Sequence, residues 1–280
     1  LLERALPSAP RLRISGEPIG AAVQSDGRPV IGRSRALCPC CEPPREIGLS
    51  SGDRIAADRA WTSLHLRADR LRVVLSRFDP LLKRPMDDPS VSTQALVTII
   101  GEASRQNRIV TVLAHTPSAI TRAVEAGASA IEEGSFLDAR SADLMAARGA
   151  FFIPLLSKLT RHVESAQASG HRGGALESAR RLAEGTLRAV ELARRSGVRI
   201  AFGSGSDGRD PTAQLQEWSL LGSVLSASDL IAAATTAARD LLRYTRDTPN
   251  LTVGSRADLV VLDGDPFEDI RNLGRIRFRH

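Results

Sequence analysis

I-V-T-V-L-A-H-T-P-S-A-I-T-R-A-V-E-A-G-A-S-A-I-E-E-G, residues 109–134, packs a strand, a helix and a second strand into one short stretch. The run at 109–114 is apolar and rich in β-branched residues, which predicts a strand buried in a parallel sheet. Helical spacing over 118–127 closes at Gly127, the residue type best suited to the left-handed position after a helix. A second apolar run follows at once, over 128–134. Two strands joined through a helix by short loops lie parallel, with the helix outside the sheet.

The same alternation extends in both directions. S-A-D-L-M-A-A-R-G (141–149) reads as a helix ended by glycine, and F-F-I-P-L-L (151–156) as a strand. A long helix rich in Ala, Leu, Arg and Glu is predicted from about 175 to 196, then a strand in V-R-I-A-F-G (198–203). Between them K-L-T-R-H-V-E-S-A-Q-A-S-G-H-R-G-G reads as a polar linker that places His162 and His171 in a solvated loop. S-A-S-D-L-I-A-A-A-T-T-A-A-R-D-L-L, 226–242, is helix-like. Towards the N-terminus, residues 92–106 have amphipathic helical spacing with Ser92 or Thr93 as N-cap. Residues 71–76 read as a strand, 55–70 as a helix that carries His65, and 11–15 as a further β-like run. Strands are thus expected near 11–15, 71–76, 109–114, 129–132, 151–155 and 198–203. The organisation expected is an irregular segment over 1–60 with the first strand in it, a main α/β domain over 61–250 and a C-terminal β segment over 251–280. A barrel and a doubly wound sheet both satisfy this alternation. No G-x-G-x-x-G follows the first strand, so a dinucleotide site lacks its signature.

The chain has 280 residues and 42% hydrophobic content, enough to bury one large core. Its formal charge of +6 comes from scattered arginines; the lysines are Lys83 and Lys158 alone. Without a dense basic run, and with one tyrosine, a nucleic-acid stacking surface is not expected. No 18-residue apolar stretch is present, so no membrane span is expected. The chain opens at Leu1 without a signal-like pattern, as expected of a processed product or a segment of a longer protein. Cys38, Cys40 and Cys41 lie in a Pro-rich stretch and lack the paired spacing of a structural zinc site. Adjacent cysteines do not bridge without strain. Reduced thiols and a cytoplasmic location are expected.

Four pieces in sequence order resemble the amidohydrolase superfamily, in particular its imidazolonepropionase and prolidase-like branch. V-T-V-L-A-H-T-P-S-A-I-T-R-A-V-E-A-G is similar to the fifth strand and helix of that barrel. A-S-A-I-E-E-G-S-F-L-D is similar to the sixth strand, G-A-F-F-I-P-L-L-S to the seventh and V-R-I-A-F-G-S-G-S-D to the eighth. A-D-L-V-V-L-D-G-D-P resembles the strand that returns into a small β-sandwich. The resemblance implies an α/β fold, a (β/α)8 TIM-type barrel whose N-terminal strand or strands lie outside this chain. It also implies hydrolysis of C–N bonds by metal-activated water. Such metals are held by H-x-H on strand one, a carboxylated Lys or a Glu on strand four, a His on each of strands five and six, and an Asp on strand eight. Imidazoles and carboxylates hold the ion, leave one position open, and the Asp accepts the proton of the bound water.

This sequence departs from that set wherever the two can be compared. Arg72 stands at the strand-four Lys position, Leu113 at the strand-five His, Glu133 at the strand-six His and Gly205 at the strand-eight Asp. A guanidinium stays protonated and cannot become a carbamate bridge. His115 lies two residues beyond Leu113, and Asp207 two beyond Gly205, which preserves strand parity. His115, Glu133 and Asp207 are therefore the candidate ligands if zinc or another divalent metal is bound, with Asp207 as the proton acceptor. Arg72, His115 and Ser204 are the candidate substrate-binding residues. The expectation is a chain without metal or other cofactor, in which Arg72 pairs with Glu133 or Asp207. It would serve as a structural or interaction subunit, completed by a second polypeptide. The alternative is a working hydrolase of C–N bonds with its missing ligands supplied from outside this chain.

Overall fold

The computed structural model describes Ser15, Ile19 and residues 51–65, 68–76, 86–87, 91–170, 172–205, 212–244, 253 and 259–279. Its contacts divide it into two compact units, residues 1–75 with 88–111, and 76–87 with 112–280.

The first unit holds α1 (Ser51–His65), β1 (Arg70–Val74), α2 (Thr93–Arg105) and the start of β2 (Ile109–Ala114). Ser15 and Ile19 bridge in parallel to Arg70 and Val73; of the run expected at 11–15, residues 11–14 lie outside the described residues. The Ile19 N–H donates to the Arg72 carbonyl at 2.7 Å and the Val74 N–H to the Ile19 carbonyl at 2.8 Å. Ser92 caps α2 as expected, its hydroxyl accepting from the Ala95 N–H at 3.1 Å. The buried Asp53 of α1 accepts from the Ser92 N–H at 2.8 Å, tying α1 to the start of α2. His65 is exposed and stacks on Trp61, ring centroids 5.8 Å apart.

The second unit carries the rest of β2, then α3 (Pro117–Glu125), β3 (Ala130–Glu133), α4 (Ala139–Arg148) and β4 (Phe151–Ile153). Helices α5 (Leu156–Ala168), α6 (Gly174–Arg195), α7 (Thr212–Leu221), α8 (Ala227–Ala232) and α9 (Ala238–Leu241) follow, with a π-helical turn at Ala233–Ala237. Strand order is β1-β2-β3-β4, and β3 and β4 pair in parallel. Every residue of β2, β3 and β4 is buried, as a parallel sheet covered on both faces requires. Beyond β4, Ile200 bridges Phe152 in parallel, where a strand was expected at 198–203. The Phe152 N–H donates to Arg199 and the Ala201 N–H to Phe152, both at 2.9 Å. Among the described residues the sheet is an open series of parallel strands. The Phe202 N–H donates to the Ala233 carbonyl in the π-helical turn at 3.1 Å. Near the C-terminus, β5 (Val260–Leu262) and β6 (Ile276–Arg279) form an antiparallel pair. No described helix is long and apolar enough to cross a membrane.

One expectation is corrected. Residues expected to form a polar linker after β4 are largely helix, because Leu156–Ala168 is α5. Leu156 and Leu159 are buried at helical spacing, while Arg161, His162 and Glu164 share the polar remainder. The residue before the helix, Leu155, offers no capping oxygen, so the usual start signal is missing from the sequence.

Two glycines should respond oppositely to alanine. Gly149 ends α4 at φ 66°, a left-handed conformation, whereas Gly101 lies inside α2 with open space around it. Gly149→Ala should cost about 1 kcal/mol, and Gly101→Ala should add about 0.5–1 kcal/mol. Thermal or urea denaturation of the two variants checks both signs.

Candidate functional site

The C-terminal ends of three neighbouring strands deliver the polar residues of the second unit, the end at which α/β folds place their chemistry. His115 follows β2, Glu133 ends β3, and Lys158 sits in the first turn of the helix after β4. His115 and Glu133 are 1% and 2% exposed. The Lys158 ammonium binds Oε1 of Glu133, and His115 Nε2 lies 3.3 Å from Oε2 of the same carboxylate. On its other side His115 Nδ1 meets the Ser135 hydroxyl at 2.9 Å, and Ser135 meets Thr186 of α6 at 2.8 Å.

The partners fix the direction of this chain. Burial lowers the His115 pKa, helped by the Lys158 charge and opposed by the charges of Glu133 and Asp87. The ring is therefore neutral. A carboxylate only accepts, so Nε2 carries the hydrogen and Nδ1 accepts from Ser135. Ser135 then accepts from Thr186. Ser135, His115 and Glu133 stand in the order nucleophile, base, carboxylate. Ser135 is only 2% exposed and its oxygen is already engaged by Thr186, so the array is a closed polar network.

Backbone geometry aims these groups. Glu133 has φ 69° and Leu155 φ 55°, so β3 ends on a left-handed non-glycine residue and β4 is closely followed by one. Such conformations cost about 1–3 kcal/mol and persist where surrounding contacts hold them. Gly185 lets α6 approach, since a Cβ there would overlap the Ser135 carbonyl oxygen. Around His115, the Ser76 hydroxyl accepts from the His115 N–H at 3.0 Å. Asp87 accepts from the Ser76 hydroxyl at 3.0 Å and the Thr116 hydroxyl at 2.6 Å.

Lys158 reaches Glu133 across Gly205. A Cβ at Gly205 would stand 3.0 Å from both Cβ and Cδ of Lys158, and Gly205 has φ 61°. Ser204 contributes its carbonyl, which accepts from the Ser157 hydroxyl at 2.9 Å and from Arg161 at 3.4 Å.

The structure thus brings His115 and Glu133 together, two of the three candidate ligands named from the sequence. The cation found on Glu133 is Lys158. Arg72 lies half-buried on β1, in the first unit. Asp207, His171, Cys38, Cys40 and Cys41 lie outside the described residues. Leu113 is buried. Sequence reasoning missed Lys158, Ser135, Thr186 and the cap of α5. One signal was available: Lys158 is one of two lysines in a chain that otherwise uses arginine.

Comparison with known proteins decides the family. Residues 79–277 match the profile described as "Amidohydrolase family". The chain belongs to the amidohydrolase family. It is 31% identical over 184 residues to ochratoxinase of Aspergillus niger, covering 64% of this chain and 38% of that protein. This amidohydrolase chain therefore spans less than half the length of that curated relative. A crystal structure of an amidohydrolase superposes with TM-score 0.78 and 25% identity, covering 100% of this chain and 70% of the other. A Xaa-Pro dipeptidase with methionine bound in its active site superposes with TM-score 0.71 at 22% identity, over 80% and 55% of the two chains, a likeness of fold.

The buried imidazole gives a pH dependence of defined sign. The unfolded chain binds a proton below about pH 6.5 that folded His115 refuses, so stability should fall as pH drops from that value towards the lowered folded pKa. His115→Gln should flatten that part of the curve. Melting temperatures of both proteins between pH 7.5 and 5 measure it, and parallel curves would count against a neutral buried His115.

Proposed function

We propose that this chain is an amidohydrolase-family protein without metal-dependent catalysis at this centre, serving as a structural or interaction subunit. The observation that carries the reading is Lys158, whose ammonium meets the carboxylate at the strand-six position while its stem lies over Gly205 at the strand-eight position. Where the family pattern has a His and an Asp, this chain has the acceptor for an internal cation and the clearance for that cation's stem.

The described residues do not fit a divalent metal. His115 has one ring nitrogen on Ser135 and the other facing Glu133, whose carboxylate also holds Lys158. Among the described residues no group of three or more His, Cys, Asp or Glu is arranged to hold a metal ion. A subunit role draws support from the C-terminal hairpin, where Val260, Val261 and Phe267 are 56%, 46% and 65% exposed. We further propose that a second polypeptide completes the sheet into the barrel of the relatives, with β5 returning towards a small β-sandwich.

The second reading is a hydrolase of C–N bonds with ligands supplied from outside this chain. It is favoured by the 31% identity to ochratoxinase, and it requires Lys158 to leave Glu133. Metal analysis after incubation with zinc or manganese separates the two. The subunit reading expects well under one equivalent per chain and no change in melting temperature with chelator. A stoichiometric ion that chelator removes would promote His115, Glu133 and Asp207 to ligands and favour the hydrolase.

Two substitutions test the internal cation directly. Lys158→Ala leaves a buried carboxylate without its cation. It should cost about 1–3 kcal/mol, below the range for a fully buried pair because the lysine side chain is 40% exposed. Gly205→Asp crowds the lysine stem and strains a left-handed position, and should cost a similar ~1–3 kcal/mol. Urea denaturation reads both; wild-type stability in Lys158→Ala would refute the internal cation.

A further inference from the structure

Helix α5 starts without a cap of its own. Its N-cap residue, Leu155, is left-handed at φ 55° and ψ 39° and has no side-chain oxygen. The cap comes from α7, about sixty residues on. Glu217 Oε1 accepts from the Leu156 N–H at 3.0 Å, and Oε2 accepts from the Ser157 N–H at 2.5 Å. Glu217 is 0% exposed, and burial pushes its pKa up against hydrogen bonds from Ser157 and Leu156 and the charge of Arg161. A carboxylate kept so far from water at such cost has a positional purpose that α7 alone does not need. The residue after Ser157 is Lys158. The Ser157 hydroxyl also holds the Ser204 carbonyl, next to the glycine over which the lysine stem lies.

We infer that Glu217 is the positioning residue for Lys158. By fixing the first turn of α5, it sets the direction from which the ammonium reaches Glu133. This rests on the reading of Lys158 as the internal cation and names what governs it. Each Glu217 oxygen takes one N–H, so a glutamine in the same pose would face one of them with its NH2, a donor against a donor.

The composition offers a clean readout. Lys83→Arg leaves Lys158 as the sole lysine, and its acylation rate with acetic anhydride, followed by mass spectrometry, reports whether its amine is held. In that background Lys158 should be acylated slowly, and Glu217→Gln should raise its rate at least ten-fold. Glu217→Asp, which keeps the charge but shortens the reach, should give an intermediate rate. Leu230→Ala, in the core of α8, serves as a control of comparable stability loss and should leave the rate unchanged. If Glu217→Gln folds and Lys158 stays protected, or Leu230→Ala exposes it equally, the positioning role is wrong. If Lys158 reacts like a free lysine in the parent, the internal cation itself fails, which is a different result. Should neither Glu217 variant fold, hydrogen exchange in the parent decides. The Leu156 and Ser157 amides should open with the same free energy that exposes Lys158 to acylation, and unrelated openings would overturn the link.

Discussion

The rest of the second unit is arranged around one requirement: a carboxylate buried at the end of β3 must have a cation. Glu133 is 2% exposed, and an isolated charge at such a depth would neutralise or unfold its surroundings. Lys158 supplies the ammonium, and a neutral imidazole supplies the second contact. The lysine reaches from a helix that must start at one particular place. Leu155 bends the chain through the left-handed region, Glu217 fixes the first turn, and Gly205 leaves the stem its path.

Two of the departures from the family pattern, Glu133 and Gly205, consequently meet on Lys158. A histidine in place of Glu133 would give Lys158 no charge to meet. An aspartate in place of Gly205 would collide with the stem. Leu113, at the strand-five position, adds apolar wall beside a network whose polar members already have partners. Reversing either Glu133 or Gly205 alone would leave the other fitted to Lys158.

The alternation of strands and helices was legible because it rests on local chemistry. The β-branched run at 109–114, the caps Ser92 and Gly149 and the apolar stripes of α2, α3 and α4 all signal within a few residues. His115 and Glu133 were legible as a pair because they end adjacent strands of a recognisable order. Lys158 was not, and the reason is physical. Its helix lacks a cap in the sequence, and the group that replaces the cap lies on α7. Arg72 was the nearest cation to the family's lysine position, and nothing local in K-L-T-R-H-V-E pointed to a different one. Ser135 and Thr186 escaped for the same reason, as their hydrogen bond joins residues 51 positions apart.

The hydrolase reading would require the closed network to open, and that opening has a size. Withdrawing Lys158 strands a buried carboxylate, which for a half-exposed lysine costs about 1–3 kcal/mol, a bias of about 5- to 150-fold towards the closed state. A ligand opens the centre only by binding the open state better by at least that factor. A divalent ion has the charge to replace the ammonium on Glu133. His115, however, must also give up Ser135 or turn away from Glu133 to offer it a nitrogen, and in the first case the Ser135 hydroxyl would lose its acceptor. Opening the centre would therefore cost more than the ion pair alone, because a buried hydrogen bond of His115 goes with it.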